Sequence, residues 1–330
     1  MEKPPKALVT GSNGFVGSHL VEALLSRGYE VTCLIRKTSN LRWLQGLNIE
    51  FVYGELIAKD SLKNAVSGKD FVFHLGGLTK AKTKEDYYTA NHLGTKNLVE
   101  AVDESNPGIQ RMVYVSTQAV VGPGNDMTPL DEDAPCNPIT DYGKSKLLGE
   151  EAVLSYKDKL PVTVVRPPAI YGPRDTEIFL FFKYIQNHIK PLFGFKENYL
   201  SLVYVKDLVE GICLAAESKK AVGQIYFTAN EHPSSFSQAE EAIQKALDVK
   251  AMTVRIPVPL FVFFGFVSQL LSNLKGEAAS FNPQKAREIS ARFWICDVSK
   301  AKRELGFETK YSLEQGAIET VRWYKQNGWL

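Results

Sequence analysis

The chain has 330 residues, 44% of them hydrophobic and 23% charged. That composition fits a soluble globular protein with one large domain and a smaller appendage, and it excludes long disorder or collagen-like repetition. Lys and Arg number 39 against 37 Asp and Glu, a formal net charge of +2, so no basic field exists to steer a phosphate backbone and nucleic acid is excluded as a partner.

In chain order, short β-branched runs alternate with helical patterns, the sequence form of βαβ units feeding a parallel sheet. Strands are predicted at Lys6 to Thr10, Glu30 to Ile35, Glu50 to Tyr53, Phe71 to Leu75, Arg111 to Ser116 and Pro161 to Arg166. Between the first two, Val16 to Arg27 puts Val16, Leu20, Ala23 and Leu24 on one helical face, and Gly28 supplies the stop. After Arg166 the alternation weakens and Pro and aromatic residues become frequent. Val203 to Val205 and Gln224 to Thr228 read as later strands returning to the main sheet. The expected fold is therefore α/β, a Rossmann-type doubly wound parallel sheet with a smaller C-terminal substrate lobe. Residues 1–165 plus 201–229 would form the dinucleotide-binding domain, and 166–200 plus 230–330 the substrate-binding lobe.

Thr10-Gly11-Ser12-Asn13-Gly14-Phe15-Val16-Gly17 stands between the first strand and the first helix. Gly11 suits a tight turn, Gly14 a close backbone approach to a pyrophosphate and Gly17 close packing of helix on sheet, with the helix N-terminus facing the negative charge. Directly after a strand, this spacing points to a dinucleotide. At the end of the second strand, Cys33-Leu34-Ile35-Arg36-Lys37 offers no carboxylate for the ribose hydroxyls of NAD. Arg36 and Lys37 suit a 2′-phosphate, so NADP is expected and NAD is the alternative; as solvated surface cations the two would carry no such meaning.

Tyr142-Gly143-Lys144-Ser145-Lys146 places Tyr142 and Lys146 four apart at the start of a helical pattern, on one face. An ammonium beside a phenol stabilises the phenolate and brings its pKa toward operating pH. The spacing alone also describes an ordinary exposed pair. Its weight comes from Ser116-Thr117-Gln118, where a hydroxyl at a strand end helps hold a carbonyl oxygen while Tyr142 exchanges the proton.

Together with YVSTQAVVG at 114–122, RPPAIYGPRD at 166–175, YYTANHLGT at 87–95 and VYVKDLVEG at 203–211, these motifs resemble the extended short-chain dehydrogenase/reductase family (NAD-dependent epimerase/dehydratase) over nearly the whole chain. The C-terminal stretches 256–274 and 281–307 resemble its 3β-hydroxysteroid dehydrogenase and dihydroflavonol-reductase-like branch. The resemblance implies that Tyr142 is the acid/base, that Lys146 binds the nicotinamide ribose and lowers the pKa of Tyr142, and that Thr117, five residues before Gly122, holds the reacting oxygen. It further implies cofactor contacts at Ser12, Asn13, Phe15, Val16, Glu55, Leu56, Leu75, Gly76, Gly77, Asn91, Tyr142, Pro168 and Ile170, and substrate contacts at Thr79, Thr117, Gln118 and Ala169. Gly76 and Gly77 stand where alanines are usual, and Glu55 stands for the usual aspartate of the adenine contact. Ala169 replaces an Asn that contacts a substrate phosphate in many sugar-nucleotide enzymes.

The resulting expectation is an NADP(H)-dependent oxidoreductase interconverting a secondary alcohol and a ketone on a hydrophobic, sterol-, flavonol- or polyketide-like substrate. The alternatives are a nucleotide-sugar 4-epimerase or dehydratase with tightly bound NAD and a non-catalytic cofactor-sensing protein. The Phe-rich run Pro259 to Leu274 reads as substrate-lobe packing, as an interface or as a membrane-surface contact, and is short for a span, which needs roughly 20 apolar residues. Cys33, Cys136, Cys213 and Cys296 form no CxxC pair and His74, His92 and His188 have no metal-like spacing, so no metal is expected. The N-terminal MEKPPK lacks a secretory pattern. A cytoplasmic homodimer is expected.

Overall fold

The computed structural model describes residues 3–279 and 281–330. Its centre is a seven-stranded, all-parallel sheet formed by β1 (Lys6–Thr10), β2 (Glu30–Ile35), β3 (Glu50–Tyr53), β4 (Phe71–His74), β5 (Arg111–Val115), β6 (Val162–Arg166) and a closing strand, Ile225–Phe227. From edge to edge the order is closing strand, β6, β5, β4, β1, β2, β3. β1 and β4 are neighbours, and the chain order reverses between them; in doubly wound sheets, ligands bind beyond the strand ends at that point.

The central strands are buried on both faces, as their continuous apolar runs require. Helix α1 (Phe15–Ser26) and the Val205–Glu217 helix cover one face, where Leu20, Leu24, Leu208 and Ile212 pack on Val9, Val31 and Val113. The Lys59–Val66 and Gly94–Ser105 helices cover the other, with Leu62, Leu98 and Val102 on Leu8, Val72 and Met112.

One expected strand lies elsewhere. Leu202–Tyr204 does not join the main sheet; it pairs in parallel with Ala169–Tyr171 as a separate two-stranded ribbon. The cause is Pro167-Pro168, which lack N–H donors and break the ladder of β6 just past Arg166. Ile225–Phe227 takes the edge of β6 before the break, and Leu202–Tyr204 takes the continuation after it. Residues 166–200 and 230–330 supply two further small sheets, Ile189–Phe193 with Met252–Ile256 and a three-stranded set of Ser234–Ser235, Tyr199–Leu200 and Phe293–Trp294. Cys33, Cys213 and Cys296 are buried free thiols, whereas Cys136 is exposed.

Candidate active site

The turn after β1 is built around three glycines that do different work. Gly11 has φ +69°, and a Cβ there would meet the Leu75 carbonyl carbon at 2.7 Å and Gly76 N at 2.8 Å. A Cβ on Gly17 would overlap the Gly11 carbonyl, so helix and turn touch backbone to backbone. At Gly14 the only neighbour within 4 Å would be Gly11 O at 3.2 Å, which leaves the outer side open for a ligand backbone to approach. Gly14 is also the N-cap of α1 and provides no capping side chain, so the first N–H groups of the helix face outward. Ser12 is fully buried, and the Asn13 amide donates to Asn40 O at 3.3 Å, tying the turn to the segment after β2. Phe15 and Val16 are half-buried at the start of α1.

Around this turn, Arg36 and Lys37 are exposed at the end of β2 and make no ion pair among the described residues. Glu55 is exposed, its backbone held by Ser61. Leu56 reaches across to where the Cβ atoms of Gly76 and Gly94 would be. A backbone that needs glycine, an uncapped helix N-terminus and unpaired cations together fit a dinucleotide.

A buried polar chain links this crevice to the next element. The Gly76 N–H donates to Thr10 Oγ1 at 3.0 Å, and Thr10 Oγ1 lies 2.6 Å from His74 Nδ1. On the other side of the ring, Nε2 lies 2.9 Å from Thr95 Oγ1, which donates to Asn91 O at 2.7 Å. Because the Thr95 proton is committed to Asn91, the ring must donate from Nε2 and accept at Nδ1. Burial pushes His74 down to about 3, which keeps it neutral.

Asn91 lies in a single π-helical turn, Tyr88–Leu93, and is fully buried. Its Oδ1 accepts from Leu78 N at 2.7 Å, and Nδ2 donates to Leu78 O and to Ser145 Oγ, each at 3.0 Å. The side chain thus clamps the loop after β4 to the Tyr142 helix. A Cβ on Gly77 would meet Asn91 Oδ1 at 2.6 Å, which explains glycine at that position.

Tyr142 and Lys146 lie in the first turns of the Asp141–Leu154 helix, which Thr140 caps by accepting from Gly143 N at 3.1 Å. Gly143 lets this helix close on the turn after β5, since a Cβ there would meet Ala119 O at 2.6 Å. That approach brings the Thr117 hydroxyl, which accepts from Ala119 N at 3.2 Å, near enough to Tyr142 to favour its phenolate. Thr117 is half-buried, whereas Ser116 is 4% exposed. Gln118 is buried, Thr79 is exposed and accepts from Tyr87 Oη at 3.2 Å, and the Tyr87 and Tyr142 rings lie 6.2 Å apart. Ala169 is exposed, Pro168 buried and Ile170 packed on the core.

Lys146 and Tyr142 sit in different electrostatic surroundings. Lys146 Nζ donates to Val115 O at 2.8 Å and sits 4.2 Å from the Tyr114 ring, and burial pushes it down to about 7. Burial raises the Tyr142 phenol above its ordinary value, and Glu177 and Glu288 raise it further; Lys285 and the Thr117 hydroxyl oppose them. Lys285 Nζ is 3.0 Å from Glu288 and 3.9 Å from Glu177, and Lys80 is 3.7 Å from Glu177. These groups were not found from sequence. They reach Tyr142 from residue 177 and from the Pro283–Ser290 helix, and no local pattern marks them. Gln284 locks that helix to the Tyr142 helix by accepting from Asp141 N and donating to Asp141 Oδ2, each at 2.7 Å.

A glycine turn and helix N-terminus at the switch point, with Thr, Tyr and Lys beside them, define a nicotinamide-dinucleotide-dependent oxidoreductase of the short-chain dehydrogenase type. The chain belongs to the NAD dependent epimerase/dehydratase family, which matches residues 7–228. It is 29% identical to the mouse (Mus musculus) sterol-4-alpha-carboxylate 3-dehydrogenase, decarboxylating, over 98% of this chain and 91% of that protein. It is 30% identical to the 3-beta-hydroxysteroid dehydrogenase of Mycolicibacterium neoaurum, over 97% and 91%. Among solved structures, a dTDP-glucose 4,6-dehydratase from Streptomyces venezuelae with NAD bound superposes with a TM-score of 0.79 at 25% identity, covering 98% of each chain.

Proposed function

We propose that this enzyme interconverts a secondary alcohol and a ketone on a hydrophobic substrate with NADP(H). Bound at the glycine turn, the nicotinamide would supply or accept the hydride. Tyr142 exchanges the hydroxyl proton, Thr117 holds the reacting oxygen, and Lys146 at the strand end holds the ribose side. Residues 166–200 and 230–330 form the substrate lobe.

The observation that carries the substrate class is the charge around Tyr142. Its neighbouring cation, Lys285, is already matched by Glu288 and Glu177, and Lys80 also faces Glu177. Such a mouth offers no net positive charge to a nucleotide diphosphate, and Ala169 adds no hydrogen-bonding group. The steroid-acting relatives agree with an apolar substrate. Arg36 and Lys37, without a carboxylate at the end of β2, support NADP.

The second reading, epimerisation or dehydration of a nucleotide sugar with retained NAD, is favoured by the dTDP-glucose dehydratase likeness. A screen of steroid-like ketones and nucleotide sugars, following reduced-nicotinamide absorbance, separates the two. The proposal expects one NADPH consumed per ketone reduced. Turnover of a nucleotide sugar without net change in absorbance would reject it.

A further inference from the structure

The Val258–Lys275 helix is built inside out. Only Phe261 and Gly265 of its 18 residues are buried, and no charged residue occurs before Lys275. At 3.6 residues per turn, Leu260, Phe263, Phe264, Phe266, Val267, Leu270, Leu271 and Leu274 fall within an arc of about 160°. All eight are exposed, from Val267 at 40% to Leu274 at 78%. Ser268, Gln269 and Ser272 lie on the opposite half, with Phe261 and Gly265, toward the protein. A helix packed on a soluble protein shows the reverse arrangement, apolar side in.

The inner seam is a true packing surface. The Phe261 ring stacks on Phe193 with centroids 3.9 Å apart, and a Cβ on Gly265 would meet the Asn282 carbonyl carbon at 2.8 Å and Pro283 N at 2.9 Å. The helix therefore lies along the protein, which leaves its outer face, and not its whole circumference, for a partner. The exposed apolar surface continues onto Phe195, 75% exposed. Phe195 follows Gly194, which adjoins the Val258 side chain at the start of the helix. Cations mark both ends of this surface: Arg255 and Lys196 near its start and Lys275 at its end are exposed, against the one exposed carboxylate Glu277 in the flanking segments 251–257 and 275–279.

We propose that this helix seats the protein on an anionic lipid surface, lying in the headgroup region with its eight apolar side chains in the acyl boundary and the flanking cations at the phosphates. An uninterrupted apolar outer face with cations at its ends matches an interfacial helix; a second copy of the chain would bring the same cations against each other. The Pro283–Ser290 helix packs against the seated helix at Gly265, and it also carries Lys285, which faces Tyr142. The seated helix and the surroundings of Tyr142 are thus joined through a single element. That a lipophilic substrate enters from this surface rests on the function proposed above; the docking does not.

The test is flotation of the full-length protein with vesicles of phosphatidylcholine and phosphatidylglycerol, and with phosphatidylcholine alone, beside sedimentation velocity without lipid. The wild type is expected to float with the anionic vesicles. Phe263→Asp/Leu270→Asp and the milder Phe263→Gln/Leu270→Gln are expected to lose at least tenfold in vesicle binding while still binding NADPH, which shows that they are folded. A wild type that fails to float, or double variants that float equally well, would overturn the proposal. So would a wild-type dimer that the double variants dissociate, with no flotation by either, since the occupant would then be a second copy. None of these readouts uses turnover, so the docking and the proposed chemistry fail separately.

Discussion

Tyr142 is set by groups from three parts of the chain: Thr117 after β5, Glu177, and Lys285 and Glu288 on the Pro283–Ser290 helix. In alcohol oxidation the phenolate is the base, so the rate rises as pH passes the Tyr142 pKa. Removing the cation in Lys285→Met leaves Glu177 and Glu288 unopposed, and the rising limb of the pH–kcat profile is expected to move to higher pH. Glu177→Gln removes a negative neighbour and should move the limb lower. Shifts in the same direction, or no shift in either variant, would contradict this electrostatic account. At the far end of the site, Arg36→Asp is expected to raise the KM for NADPH by roughly tenfold or more, the loss of a charge-assisted hydrogen bond, and to improve use of NADH. Unchanged preference in steady-state kinetics would remove Arg36 from the reading. Tyr142, Lys146 and Arg36 are visible in sequence because each stands at a fixed offset from a strand or helix end. Lys285 is not, because its relevance exists only once the C-terminal segment folds back over residue 142.

At the scale of elements, the Tyr142 helix is held by an ion pair buried at its third turn. Arg166, 2% exposed at the end of β6, faces Glu150 with a forked geometry, Nε lying 3.1 and 3.2 Å from the two carboxylate oxygens. Its Nη1 also reaches Glu132 O at 3.3 Å, and Glu132 in turn accepts from Phe227 N on the closing strand. Arg166→Met would leave Glu150 buried and unpaired, with an expected loss of about 3–5 kcal/mol in urea unfolding, while Arg166→Met/Glu150→Leu should recover most of it. If the double variant is as unstable as the single, the pair acts through packing and not through charge. Strands β1 to β6 were legible to within a residue because their β-branched runs are bounded by turn residues. The placement of Leu202–Tyr204 was not, since only the break at Pro167-Pro168 decides which ladder it joins. The π turn at Tyr88–Leu93 was hidden as well: YYTANHLGT reads as ordinary helix, and the extra residue per turn follows from aiming Asn91 at Leu78 and Ser145.

Across the whole molecule, buried titratable groups make stability depend on pH in opposing ways. His74 and His19 are held neutral, pushed down by burial to about 3 and about 4. Between those values and the usual 6.5 the unfolded chain binds more protons, so their contribution is complete above pH 6.5 and is lost as pH falls. Asp175 and Glu240, pushed up by burial to about 6 and about 8, act in the reverse sense. The clean observable is therefore a difference: relative to wild type, His74→Gln should gain on the order of 1 kcal/mol per pH unit as urea unfolding is repeated from pH 6.5 down to 4.5. A constant difference would mean that His74 titrates normally. The doubly wound architecture was readable because alternating β and α patterns leave few topologies, whereas the exposure of the Val258–Lys275 helix depends on which of its faces the lobe covers. What joins the scales is the claim that Tyr142 exchanges the substrate proton beside a dinucleotide held mainly at the glycine turn. The most direct measurement pairs NADPH titration with single-turnover reduction of a ketone substrate in Tyr142→Phe: NADPH should bind within a few-fold of wild type while reduction falls by roughly two orders of magnitude or more, and a variant that keeps most of its reduction rate would contradict the account.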